Sequence, residues 1–100
     1  MELHPGEIQI LLTLGQIPFL PVARRADNME PHYLEERDFT PEEYSLILQC
    51  LEKRRLISID YSPMKGFDYS AYRQWPVHGS FALTEKGQNI LELLEIQGIE

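Results

Sequence analysis

The spacing of apolar and polar positions changes along the chain, and each change marks an element. Between Pro5 and Leu14 the apolar residues Ile8, Ile10, Leu11, Leu12 and Leu14 recur at helical spacing, with Gly15 placed as a C-terminal stop. Ile8, Leu11 and Leu12 form one stripe, and Ile10 and Leu14 fall on the far side. The pattern therefore predicts a helix covered on two sides, by the core and by either the C-terminal helix or a second chain. A stronger signal begins at Thr40. Thr40 is a helix N-cap, Pro41 suits the first helical position, and Glu43 can close a capping box. Tyr44, Ile47, Leu48 and Leu51 then follow the i, i+3, i+4, i+7 rule. After Arg55 the period falls to two: Ile57, Ile59 and Tyr61 alternate with Ser58 and Asp60, which reads as a strand over 56–61. A second strand, Gly79 to Thr84, carries Phe81 and Leu83 on one face. Thr84 caps a last helix whose inner stripe is Ile90, Leu93 and Leu94, with Leu91 and Ile96 off it and Gly98 near its end.

Elsewhere the pattern is weaker. Pro18 and Pro21 bracket Phe19 and Leu20 and disfavour a helix, so 16–28 reads as extended, with a short first strand. Met29 to Arg37 reads as a short helix with Tyr33 and Leu34 inward, turning at Arg37–Phe39, where Phe39 packs ahead of the Thr40 cap. The connection 62–77 is punctuated by Ser62–Pro63, Gly66 and Trp75–Pro76, and is long for a hairpin. The expected architecture is one domain over 1–100, mainly α with a small antiparallel hairpin (α+β), in the order α-(β)-α-α-β-β-α.

Two stretches carry a resemblance. Leu34 to Ile57 resembles the helix-turn-helix of bacterial winged-helix regulators. Leu83-Thr-Glu-Lys-Gly-Gln-Asn-Ile-Leu-Glu-Leu-Leu94 is similar to the L-T-x-K-G segment that closes the wing and opens the last helix of MarR- and PadR-like proteins. Together, from Leu34 to Leu94, they span about three fifths of the chain in the right order. The resemblance implies a winged helix-turn-helix and, for most such proteins, a homodimeric DNA-binding transcription regulator.

The charges pull against that implication. The net charge is −7 and the isoelectric point near 4.9, whereas phosphate contacts usually leave a basic footprint. Between Glu30 and Glu43 six acids face one base, Arg37. On the helix from Thr40 the face opposite the core is Glu42, Leu46, Gln49 and Lys53, with Cys50 on the flank; related regulators commonly carry Arg, Lys, Ser or Asn there. The wing crowds Met64, Phe67, Tyr69, Tyr72 and Trp75 with Lys65, Arg73 and His78. Such a mixture suits a satellite core, a protein hot spot or single-strand stacking.

Catalysis has little to stand on. His4, His32 and His78 are widely separated and lack metal-ligand spacing, and adjacent pairs Glu35–Glu36 and Glu42–Glu43 diverge around a helix. No catalytic residue, metal ligand or cofactor is assigned. The lone Cys50 excludes an internal disulfide framework, and no signal peptide or membrane span is read, so the expected setting is cytoplasmic, without membrane contact. The reading is a non-enzymatic regulatory or adaptor protein that binds a protein partner or itself, through Ile10, Leu14, Leu46, Cys50, Leu91 and Ile96 and through the wing residues Lys65, Phe67, Tyr69, Tyr72, Arg73 and Trp75. The alternative is a homodimeric DNA-binding regulator using the helix at 40–54 and the wing at 62–77, with Arg24, Arg25, Ser45, Gln49, Lys53, Lys65 and Arg73 as contacts.

Overall fold

Two helices open with the same device. In the computed structural model, which describes residues 2–97, α1 (Pro5–Gln16) is capped by His4, whose Nδ1 accepts from the Gly6 amide at 2.9 Å while Glu7 accepts from the His4 amide at 2.9 Å. In α2 (Pro41–Lys53) the Thr40 hydroxyl accepts from the Glu43 amide at 3.1 Å, and Glu43 reciprocates on the Thr40 amide at 2.8 Å. Each box satisfies amides that a helix start leaves without partners. Strand β1 (Leu20–Arg24) lies between these helices. After α2 come β2 (Ile57–Asp60), a 3-10 turn at Ser70–Tyr72, β3 (Val77–Leu83) and α3 (Glu85–Gln97). The expected role of Gly98 falls outside the described residues.

The sheet is three-stranded and antiparallel in the order β1-β3-β2, with Leu20 opposite Phe81 and Ile57 opposite Leu83. Alternation along the strands puts Leu20, Val22, Phe81 and Ile57 on one face. That face packs with Leu11, Tyr44, Leu48 and Leu51 of the helices into the main core. Pro21 is accommodated because β1 is an edge strand. The neighbouring Ala23 turns its amide outward, so the missing N–H of Pro21 falls in no ladder within the sheet.

The helix faces differ from the sequence pattern. Ile10 and Leu14, expected on the far side of α1, are 0% and 4% exposed and belong to the core, while Ile8 and Leu12 are only half-buried. α1 touches α2, α3 and β3, so its inward arc is wider than one stripe. Of the two covers expected for this helix, α3 provides one. On α3, Ile90 and Leu94 of the expected stripe pack inward, but Leu91 is buried where Leu93 was expected, and Leu93 is about half exposed. Gly15 explains the shift: a Cβ there would lie 2.7 Å from the Leu91 Cδ2. The glycine does not stop α1, which continues to Gln16; it lets Leu91 of α3 pack against α1.

The helix expected at Met29–Arg37 does not form. Asn28 accepts from the Glu30 amide in a local turn, and His32 forms a two-bond bridge with Ala23. Beyond it, side chains distant in sequence hold the segment open. The Tyr72 hydroxyl accepts from the Leu34 amide at 2.9 Å and donates to Glu35 at 2.9 Å, Thr13 donates to Glu36 at 3.0 Å, and Gln9 donates to Asp38. Backbone and side-chain groups are thereby satisfied without helical turns. Tyr33 still points inward, 1% exposed.

The exit of α2 is a Schellman stop with arginine in the left-handed position: Arg55 has φ 62°, the Leu56 amide bonds the Leu51 carbonyl, and the Arg55 amide bonds that of Glu52. The L-T-x-K-G segment docks on this stop. The Thr84 amide donates to the Leu56 carbonyl, its hydroxyl donates to that of Arg55 and accepts from the Gly87 amide, and Lys86 reaches the Arg54 carbonyl. A Cβ on Gly87 would lie 1.9 Å from the Leu56 carbonyl oxygen, so only glycine fits.

Candidate interaction surfaces

The wing, residues 61–76, folds back over the second face of the sheet. Tyr69 stacks on His78 of β3 with centroids 4.6 Å apart, and its hydroxyl donates to the Gly79 carbonyl at 2.8 Å. Tyr72 is wholly buried, and Trp75 stacks on His32 at 4.4 Å. Phe67 meets Tyr69 edge-on. Of the expected wing contacts, then, Tyr72 is removed from the surface. Tyr69 and Trp75 are half-buried in a satellite core, because aromatic burial over the sheet outweighs exposure in a loop. Lys65 and Arg73 stay exposed.

Burial also sorts the helix candidates. Ile10, Leu14 and Leu91 are core residues and cannot meet a partner. Leu46 is 63% exposed and Ile96 80% exposed, and Cys50 is an exposed free thiol. Leu46 and Cys50 line a mainly apolar groove of about 250 Å³ between α2 and the start of α1, with His4, Glu7, Glu43 and Ile47. Glu7 is buried and paired with Arg54 at 3.3 Å; the amide and hydroxyl of Thr40 hold the Glu43 carboxyl below its usual range. No group of three or more potential metal-ligating side chains occurs among the described residues.

The nucleic-acid candidates are dispersed. Ser45 is buried and accepts from the Gln49 amide at 3.2 Å, which takes it off the readable face. Lys53 and Gln49 share a groove with Glu30 and Glu52, so acids flank the one lysine of that face. Arg24 lies 4.6 Å over the Tyr61 ring and donates to the Arg25 carbonyl, and Arg25 pairs with Asp27 at 3.3 Å. Lys65 lies in a different groove, beside Glu35 and Glu36.

That last groove is the surface the sequence pattern missed. It runs from the exit of α1 to the wing tip and presents Ile17 and Phe19, 49% and 54% exposed, opposite Met64 and Phe67. The available signal was Pro18-Phe-Leu-Pro21: in an extended segment, if Leu20 points in, Phe19 must point out.

No family model, curated protein or solved structure matches the chain. No helix among the described residues is long and apolar enough to cross a membrane.

Proposed function

We propose that the chain is a non-enzymatic regulatory or adaptor module on a winged-helix-like plan, acting through protein–protein contacts or self-association. The plan is supported by the sheet order β1-β3-β2 with a capped helix leading into β2 and a wing between β2 and β3; the short helix expected at 29–37, ahead of α2, is replaced by an extended segment. The observation that carries the protein-binding role is the outer face of α2. Leu46 stands exposed in an apolar groove with Cys50, at the place where a base-reading helix needs donors. Acids flank Lys53; Arg24, Arg25 and Arg54 are engaged within the chain; and the exposed Lys65 shares its groove with Glu35 and Glu36, so the basic groups do not gather into one strip for phosphate. A lone exposed thiol suits a reducing, cytoplasmic setting.

Sedimentation velocity and cross-linking of the native protein, with wild type and the folded variants L46D and I96D, test this. The expected result is a concentration-dependent dimer, or one cross-linked partner, that L46D or I96D abolishes without lowering the thermal midpoint. Anisotropy with labelled duplex at low salt stays flat. Duplex binding that falls steeply with salt, or protein contacts indifferent to both substitutions, overturns it.

A further inference from the structure

We infer that the groove beside the open edge of β1 takes an extended peptide of a partner protein, alternating apolar and basic side chains, as an added strand. The argument begins with the backbone. β1 is an end strand, and Ala23 turns both its polar groups outward, donating to the His32 carbonyl at 3.1 Å and accepting from the His32 amide at 2.8 Å. Strand alternation gives Pro21 and Phe19 the same outward sense. Pro21 offers a carbonyl only. Phe19 offers both groups, and among the described residues neither has a backbone partner.

His32 shows that this edge accepts a strand-like neighbour, but it covers a single position. Two residues later the chain is drawn off, with the Leu34 amide bonded to the Tyr72 hydroxyl at 2.9 Å, and the groove opens where it leaves. The side chains at that opening are those an added strand would meet: Ile17 and Phe19 on one side, Met64 and Phe67 on the other. An open edge flanked by apolar pockets is the arrangement used in recognition by strand addition. Charge selects the occupant. Glu35 and Glu36 line the groove against Lys65 alone. Glu35 is held by the Tyr72 hydroxyl and Glu36 by Thr13 and Tyr33, so their carboxylates stand in fixed places for basic side chains. Because Pro21 lacks an N–H, it can only accept from the partner strand, which limits the register.

This inference rests on the reading of the chain as a protein-binding module, but it concerns a different surface from Leu46. The test titrates the full chain with the labelled peptide Lys-Val-Lys-Ile-Lys-Val, its Glu-for-Lys counterpart, and a form N-methylated at alternate amides. Hydrogen exchange at Phe19 is followed by NMR. The lysine peptide binds saturably and protects the Phe19 amide, and each control peptide binds at least about tenfold more weakly. F19S weakens binding about tenfold, and E35Q weakens it roughly two- to fivefold. L46D binds the peptide as wild type does, so failure of the Leu46 contacts alone removes the α2 surface proposed above and leaves this one standing. Absence of lysine-peptide binding, equal binding of the N-methylated form, or an unprotected Phe19 amide overturns the inference.

Discussion

The imidazole of His32 lies almost parallel to Trp75, with 13° between the planes, while the backbone of the same residue bridges to Ala23. Burial holds its pKa below the ordinary 6.5, against the pull of the Glu30 carboxylate 3.7 Å away; Arg25 lowers it further and Glu42 raises it. The folded chain therefore takes up this proton less readily than the unfolded one. The contribution to stability is fully present above pH 6.5 and is lost as the pH falls through the lowered value. Trp75 is the sole tryptophan, so its fluorescence reports the stack directly. From about pH 7.5 to about pH 5 the emission and the thermal midpoint should both change, and H32Q should flatten the change in midpoint. At the alkaline end, burial pushes the Tyr33 and Tyr72 hydroxyls upward, so both remain protonated donors to Glu36 and Glu35.

Among the elements, α2 and its exit were the most legible from sequence, because their signals are local. Thr40, Pro41 and Glu43 sit within one turn, and the period changes where Arg55 leaves the helix. The stretch 29–37 was misread as helix because what decides it is remote: Tyr72, Thr13 and Gln9 supply bonds that no local pattern encodes. Two substitutions at the α2 exit should move stability in opposite directions. Arg55→Gly relieves a left-handed side-chain residue and should raise the urea midpoint by an amount worth about 1 kcal/mol. Gly87→Ala drives a methyl into the Leu56 carbonyl and should destabilise by about 2 kcal/mol or more, unless the junction opens. Equal and small effects at both positions would contradict the docking of the L-T-x-K-G segment on this stop.

For the whole molecule, the question is which apolar residues hold it together and which are left over. The sequence marked both kinds on α1 and α3 but assigned several to the wrong side. Which arc of a helix is buried depends on what packs around it, and α1 meets α2, α3 and β3. The β1-edge groove was illegible for a similar reason: it joins residues near 17, 35 and 65, and only the tertiary fold brings them together. The corrected division can be measured. Leu91→Ala should cost about 2–5 kcal/mol, since it opens a cavity against Gly15. Ile96→Ala should stay within about 0.5 kcal/mol in the isolated chain.

The order β1-β3-β2 also bears on how the chain reaches its fold. The central strand is the last of the three to be synthesised, so neither outer strand has a partner until Val77–Leu83 has left the ribosome. Until then β1 and β2 lack their ladder partner, and the pairing of Leu20 with Phe81 must close most of the chain length. Refolding should therefore be paced by the arrival of β3, and a nascent chain ending before it would carry capped helices but no sheet.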